Sequence, residues 1–538
     1  MKALTAAEMR EVDRLTTERF GVPGHQLMEA AGKSVAEVFL EQYGYKTPDP
    51  PGRVVVLCGK GNNGGDGFVV ARYLREEAEQ VHVYLFAKPE ELRGDAAKNF
   101  ERWQEHDGST VIQSATDWDK AWPGISAAEV IVDALLGTGV RGAAEGLIGQ
   151  AIEDVNRLSR GATAVRPAWV VAVDTPSGLP SDGEAAAGPV LQAHWTVTFT
   201  APKIGQLISS QAGRCGQLLV RGIGSPAALI EEVGKGTLRS SGADEFAGLP
   251  LIRAAEAYKN SYGHLLLVAG SVGKTGAAVL AGHSALRGGA GLVTIATPEP
   301  ALSIIASAQA EYMTEPLPAT SAGTLGAAGL RSGKFAGLLR GMTVLAIGPG
   351  IGQHPETQEF IRGAVAETEL PIVLDADGLN AFAGDGELLR KRKAKFLVVT
   401  PHPGEMARLL GGSIAQVQHD RVKTATEAAR KWNAHVVLKG FHTIIAAPNG
   451  QVFVNITGNP ALAKGGSGDV LTGLLGALIA QFGTDDLVRV VALGVYLHGR
   501  AADLLSEQSE ASGVLAGDLA QAIPFARRKL LEELQARD

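Results

Sequence analysis

The sequence predicts an α/β protein of two domains, each built on a largely parallel sheet with helices on both faces. Three observations carry that reading. The 538 residues exceed what one ordinary hydrophobic core holds. Short apolar runs rich in β-branched residues alternate with helical stretches in both halves, as strands buried on both faces do. Between the halves runs GIGSPAALIEEVGKGTLRSSGADEFAGLP, Gly222 to Pro250, rich in Gly, Ser and Pro and without strong periodicity. The first domain is therefore expected over residues 1–225, a linker over 226–249 and the second domain over 250–538.

Taken in order, TAAEMREVDRLTTERFG opens the chain as a charged helix, read as a peripheral arm. The strands of the first half are VVVLC (54–58), VHVYLF (81–86), VIVDALL (130–136), WVVAVDT (169–175) and WTVTFTA (195–201). The second half repeats the logic with HLLLVAG (264–270), LVTIATP (292–298), TVLAIGPG (343–350), PIVLDAD (371–377), FLVVTPH (396–402) and HVVLKG (435–440). Glycine is abundant at 68 residues and aromatics are scarce at 5%, which suits many tight strand-to-helix turns. A hydrophobic content of 45% argues against a disordered chain.

Composition also excludes whole classes of function. With 50 Lys+Arg against 57 Asp+Glu and a net charge of -7, no basic stripe offers itself to a nucleic-acid backbone. No apolar run approaches the ~20 residues that span a bilayer, so no membrane association is expected. The two cysteines, Cys58 and Cys215, match no metal spacing and read as small buried apolar residues in a reduced cytoplasmic compartment.

Chemistry concentrates at strand ends. Gly59-x-Gly61-x-x-Gly64 directly follows a strand and precedes the helix DGFVVARYLREEA, the form of a dinucleotide-binding turn, although alone it is a weak signal. Two details oppose ordinary nicotinamide hydride transfer. The next strand ends in FAKPE, without an acid at its tip for a ribose hydroxyl, and Asp66 puts a carboxylate where a pyrophosphate would sit. Asp66 taken alone reads equally as a helix cap. Three more loops follow strands: DALLGTGVRG, DTPSGLPSDG and FTAPKIG. Their tips share one edge of a parallel sheet, so Asn63, Asp133 and Ser177 could offer hard oxygens to a cation while Asp174 faces a substrate. A lone strand-end Asp is also a common turn former.

LMEAAG (27–32), GNNGGDG, VDALLGTGVRG, DTPSGLPSDG and TAPKIG, in that order, resemble the N-terminal YjeF family, the NAD(P)HX epimerases. The resemblance implies a Rossmann-like three-layer α/β/α fold. It also implies a substrate held by Asn62, Asn63, Gly64, Gly65, Asp66, Gly137, Thr138, Gly139, Val140, Arg141, Gly142, Ala143 and Asp174. Asp174 would assist proton movement at the C6 hydroxyl, and K+ would be fixed by Asn63, Asp133 and Ser177.

In the second half GGSGDVLTGLLGALIAQFG is a glycine turn opening an apolar helix. Backbone N–H groups of Gly465 to Gly468 can stabilise charge developing in phosphoryl transfer, and Asp469 can accept a proton from an attacking hydroxyl. An Asp cap after a flexible loop is the simpler alternative. AGSVGKTGAA lacks P-loop spacing and reads as a substrate-side loop. With YGHLLLVAGSVGKTGAA, GGAGLVTIATP, IGPGIG, DADGLN, TPHPGEMARLL, LKGFHT and NPALAKGGSGDVLTG, residues 250–530 resemble the ribokinase-like NAD(P)HX dehydratases.

That resemblance implies that Ala290, Gly350, His402 and Asp469 contact the hydrated nicotinamide nucleotide. Lys439, Gly440, Phe441, His442, Thr443 and Gly468 would hold ADP, with Mg2+ as cofactor and Asp469 as catalytic base. His402 by itself reads as a hydrogen-bonded turn histidine. Glu405 reads as an exposed helix-start glutamate, its alternative being a Mg2+ organiser acting through water. The helix dipole is expected to keep Asp469 ionised at some loss of basicity.

Together the halves resemble the family of bifunctional NAD(P)H-hydrate repair enzymes. That implies small-molecule substrates, NADHX, NADPHX and ADP, with R and S hydrates interconverted by one domain and the S form dehydrated by the other, releasing AMP and phosphate. A homo-oligomer is compatible with this reading. Departures are local: NPALAKGGSGD stands where members commonly read NPGMATGGTGD, so Lys464 is expected to add a phosphate contact, and KNSYGH replaces a lysine-glycine version. Two other classes stay open, a ribokinase-like kinase for a small alcohol or vitamin and a non-catalytic binding module. The set of Asp66, Asp133 and Asp174 argues against the latter.

Overall fold

The computed structural model describes residues 1–44, 49–139, 142–159 and 168–536. Val140 and Arg141 lie outside them. The chain divides into two units, Met1–Gly236 and Thr237–Asp538.

The first unit is built on β1 (Arg53–Cys58), β2 (Gln80–Leu85), β3 (Ser109–Val111), β4 (Val130–Ala134), β5 (Trp169–Val173), β6 (Trp195–Phe199) and β7 (Gln217–Arg221). These form a sheet in the order β3-β2-β1-β4-β5-β6-β7, parallel throughout. The central strands are buried on both faces, as their unbroken apolar runs require. Order reverses between β1 and β4, where successive crossovers leave on opposite faces and the C-terminal strand ends open a crevice. The loop after β1 can turn there because Gly59 has no side chain: a Cβ on it would stand 1.9 Å from the Leu135 carbonyl oxygen.

The first helix, Ala6–Phe20, is no peripheral arm. Thr5 and Glu8 close its start reciprocally, and Met9, Val12 and Leu15 pack with Ala201, Leu229 and Ile230. Leu4 N–H donates to the Pro202 carbonyl at 3.0 Å and Ile204 N–H to the Leu4 carbonyl at 3.1 Å, tying the chain's start to the loop after β6.

The expected linker over 226–249 is also corrected. Its front half is the helix Ala227–Val233 of the first unit, held by Leu229 and Ile230 in that same cluster. Its back half contains β8 (Leu238–Ser241), which pairs in the second sheet. Two apolar contacts on a seven-residue helix and a four-residue strand are too short to register as periodicity.

The second unit adds β9 (His264–Val268), β10 (Leu292–Pro298), β11 (Met313–Leu317), β12 (Val344–Ile347), β13 (Ile372–Leu374), β14 (Leu397–Val399), β15 (His435–Leu438), β16 (Ile444–Ala446) and β17 (Val452–Asn455). The order is β11-β10-β9-β12-β13-β14-β15-β16-β17-β8, parallel from β11 to β15 and then antiparallel through β16 and β17. Its reversal lies between β9 and β12. One face packs against Thr275–Gly288, Ser467–Phe482, Leu487–Ser506 and Ala516–Gln535, the other against Pro355–Glu367 and Arg421–Trp432.

Thr275–Gly288 and Ser467–Phe482 approach closely at Gly473, where a Cβ would lie 1.9 Å from the Ala281 carbonyl oxygen. Gly473→Ala should therefore force these helices apart and cost about 1–3 kcal/mol, seen as a lower melting midpoint of the second unit. Among the described residues no helix is long and apolar enough to cross a membrane.

Candidate active sites

In the first unit the loops after β1, β4, β5 and β6 meet at one sheet edge. Asn63, Gly64, Gly65 and Asp66 form the buried start of the helix Asn62–Leu74, with Asn62 exposed ahead of them. Gly137 packs against the Asn63 side chain, Thr138 is half-buried and Gly139 exposed. Gly142 is exposed and Ala143 half-buried.

The three expected cation ligands do converge. Asn63 Nδ2 donates to the Leu136 carbonyl at 3.0 Å, and Leu136 N–H donates to Ser177 Oγ at 2.9 Å. Ser177 Oγ and N–H in turn donate to the two oxygens of Asp133 at 2.5 and 2.7 Å. Asp133 is fully buried, and burial pushes its carboxyl up to about 6 against the Ser177 and Leu135 hydrogen bonds. Among the described residues the hydrogen bonds to this buried carboxylate come from neutral donors, an arrangement that suits a nearby cation.

Asp174 follows β5 in the left-handed region at φ 59°, a conformation a non-glycine residue holds only where its surroundings insist. Those surroundings are Lys203, 1% exposed, whose ammonium pairs with Asp174 Oδ1 and also donates to Thr198 Oγ1 at 2.9 Å and the Phe199 carbonyl at 3.2 Å. Thr198 Oγ1 donates to the same carboxylate oxygen at 3.0 Å, and Gln206 Nε2 holds the Asp174 carbonyl at 2.7 Å. Asp66 does not cap its helix, being its fifth residue. Burial, reinforced by the carboxylates of Asp174 and Asp13, drives it well above the ordinary range and towards the protonated acid. Asp13 comes from the first helix; burial lifts it to about 6 while Lys203 opposes, and its Oδ1 is buried without a hydrogen-bond partner.

In the second unit the equivalent edge carries the turn Gly465–Gly468 and Asp469, in the first turn of Ser467–Phe482. Lys439, after β15, places Nζ 2.8 Å from Asp375 Oδ1 and 3.8 Å from Glu405 Oε2. Gly440 faces Arg421, which donates to the carbonyls of Leu438, Lys439 and Phe441 and so braces the LKGFHT loop. Phe441 is exposed and stacks on His442, ring centroids 4.0 Å apart, and Thr443 Oγ1 donates to the Gly440 carbonyl at 3.1 Å. Gly350 takes φ 63° against Ala277 and Lys274, and its carbonyl accepts from Ser271 Oγ at 2.7 Å. His402 is the hydrogen-bonded turn histidine and caps the helix Pro403–Leu410: its Nδ1 accepts from Gly404 N–H at 3.0 Å, and its Nε2 lies 3.5 Å from Glu405 Oε1.

The comparisons follow this division. The family model described as YjeF-related protein N-terminus matches residues 24–205, and the one described as NAD(P)H-hydrate dehydratase matches 265–525. The bifunctional NAD(P)H-hydrate repair enzyme Nnr of Moorella thermoacetica is 42% identical over 99% of this chain and 98% of its own length. This chain belongs to the bifunctional NAD(P)H-hydrate repair enzymes. The Escherichia coli enzyme of that name is 33% identical over 96% of this chain and 92% of its own. Among solved structures, an ADP/ATP-dependent NAD(P)H-hydrate dehydratase from Bacillus subtilis co-crystallized with ATP/Mg2+ is 31% identical, with TM-score 0.46 over 54% of this chain and 98% of that one.

The chain thus has a Rossmann-like epimerase-type domain followed by a ribokinase-like dehydratase domain. In the dehydratase domain four expectations change. Ala290 does not join the site. It precedes β10, at the opposite end of the sheet, because the helix Thr275–Gly288 runs back about 20 Å from the edge that carries Gly350. Lys464 Nζ donates to the Ser512 carbonyl at 2.7 Å and turns away from the anion turn. Glu405 is not exposed but buried, its Oε2 accepting from His402 N–H at 2.8 Å. Asp469 is made more basic, not less: burial first, then Asp375 and Asp377, lift it to about 6 against Lys439.

Sequence reasoning missed Asp13, Lys203 and Asp375. TAPKIG and DADGLN were legible as motifs, but burial of their charged members was not. For Asp13, the only signal was an acid set among the apolar positions of the first helix.

Proposed function

We propose that the epimerase-type domain interconverts the R and S hydrates of NADH and NADPH, and that the dehydratase domain converts the S form back with ADP as phosphoryl donor. The observation that carries this reading is the separation of two chemistries: a Lys203-paired Asp174 beside the buried acid Asp66 in one domain, and Asp469 over a lysine and a glycine anion turn in the other.

In the first domain the dinucleotide lies between Asn62–Asp66 and the residues Gly137, Thr138, Gly139, Gly142 and Ala143. Asp174, oriented by Lys203, Thr198 and Gln206, handles the proton at the C6 hydroxyl, and Asp66, raised by burial and by Asp174 and Asp13, adds a second carboxyl to the site. K+ would be held by Asn63, Asp133 and Ser177, offsetting the buried Asp133 charge and that of the substrate's phosphates. Withdrawing K+ should slow R-to-S interconversion and leave dehydration of pure S-hydrate unchanged, measured by chromatography of the two forms.

In the second domain the substrate's C6 oxygen attacks the β-phosphorus of ADP as the bond to the α–β bridging oxygen breaks. Asp469 takes the hydroxyl proton and AMP leaves. Loss of the C5 proton with the C6 phosphate then restores the dihydronicotinamide. The nucleotide lies along Lys439 to Thr443 and Gly468, and the hydrate against Gly350 and His402. Mg2+ would be bound through the phosphates of the nucleotide, since Asp375 and Asp377 already pair with Lys439 and Lys274, and it would offset charge on the transferring phosphoryl group. Since a base must be ionised, dehydration should fall as pH drops through about 6, read as the acid limb of kcat against pH. A cytoplasmic location suits two unpaired, buried cysteines.

The deciding experiment follows absorbance at the NADH band on purified S-hydrate with ADP, with ATP or without nucleotide, then on R-hydrate. ADP-dependent recovery from both is expected. A stable phosphate ester in place of regenerated NADH would make the protein a small-molecule kinase.

A further inference from the structure

Under the anion turn lies a buried carboxylate that the steps above do not use. Asp375 follows β13 and is 1% exposed. Its Oδ1 lies 2.8 Å from Lys439 Nζ, and its Oδ2 accepts from Thr472 Oγ1 at 2.7 Å. Thr472 is one helical turn after Gly468, and its hydroxyl also reaches the Gly468 carbonyl at 3.2 Å. One carboxylate therefore ties the lysine after β15 to the helix that carries Asp469. A Cβ on Gly468 would stand 3.5 Å from Lys439 Nζ and 3.7 Å from Asp375 Oδ2, so the ammonium rests against the first turn of that helix. The competing partner is Glu405, its Oε2 3.8 Å from the same ammonium. A lysine head is a point charge on a flexible stem and, when buried, follows its nearest counter-charge.

We propose that Asp375 is a positioning residue for phosphoryl transfer: it holds Lys439 Nζ beneath the Gly465–Gly468 turn, facing the transferring phosphoryl group, and away from Glu405. The inference rests on the ADP-dependent reading of this domain. It accounts for a carboxylate that is buried among reacting groups yet remains below the ordinary range. Burial alone would push Asp375 up, and Lys439, with smaller help from the Thr400 and Thr472 hydroxyls, outweighs it.

The charges acting on Asp469 are Asp375 and Asp377, which push it up, and Lys439, which pulls it down. Asp375 acts more strongly than Lys439, so removing its charge lowers Asp469 even when Lys439 moves away as well.

The test uses the full chain, S-hydrate and ADP, with kcat, KM for ADP and the pH profile measured for Asp375→Asn, Thr472→Val and Thr472→Ser. Asp375→Asn is expected to lower kcat by about tenfold to a hundredfold, the scale of a lost preorganised charge contact, and to move the acid limb to lower pH. Thr472→Val should show a smaller fall in kcat and Thr472→Ser should restore it. The limb reports loss of the Asp375 charge itself, whereas a merely structural fault would lower the melting midpoint along with kcat. A wild-type kcat in Thr472→Val, or in folded Asp375→Asn, overturns the proposal. If Asp375→Asn does not fold, the two Thr472 variants decide. Dehydration retained by Asp469→Asn would instead overturn the underlying reading.

Discussion

Asp469→Asn should lower ADP-dependent dehydration by about 10²–10⁴-fold, the range for loss of a general base, while R-to-S epimerisation continues unchanged. Asparagine keeps the shape but cannot take the C6 hydroxyl proton. The same substitution removes a charge that burial and two neighbouring carboxylates disfavour. Because the folded protein raises Asp469 above its ordinary value, its ionised form opposes folding as pH rises through that window up to about 6 and remains opposed above it. The variant should therefore melt no lower than the parent at pH 7. An inactive variant with an undiminished midpoint separates chemistry from damage; a variant that still dehydrates would remove Asp469 from the mechanism.

Lys203→Met is the second large effect, and it falls on stability as well as rate. The ammonium is 1% exposed and is the cation paired with Asp174, in a site where Asp13 and Asp66 are also acidic. Deleting one partner of a buried pair costs about 3–5 kcal/mol because the other charge stays behind. Epimerisation should be lost with it. Adding Asp174→Asn to Lys203→Met removes the stranded charge, so the double variant should regain part of the midpoint of the first unit without regaining activity. Equal melting of the single and double variants would show that the pair contributes nothing beyond packing.

The long central strands were readable because burial on both faces writes itself as unbroken apolar runs, VVVLC at β1 or HLLLV at β9. Short and marginal pieces were not. Met313–Leu317 at the sheet edge is only partly buried, and Leu238–Ser241 spends four residues on a pairing with Val452–Asn455 far along the chain. Neither carries a periodic signal of its own.

By itself the amino-acid sequence determined that there are two α/β units, that their glycine turns stand at strand ends, and that their motifs belong to one repair family. Those features are local: a strand, a turn and a helix start are set by neighbours in the chain. Only the tertiary structure decided which charges meet. It brought Asp13 from the first helix and Lys203 from the loop after β6 to Asp174, buried Glu405, turned Lys464 aside and left Ala290 at the far end of the sheet. The physical reason is that a carboxyl group's charge state depends on burial and on partners distant in sequence. Asp66 and Asp469 read in the sequence as helix-start acids, and the packed protein makes both stronger proton holders than free aspartate.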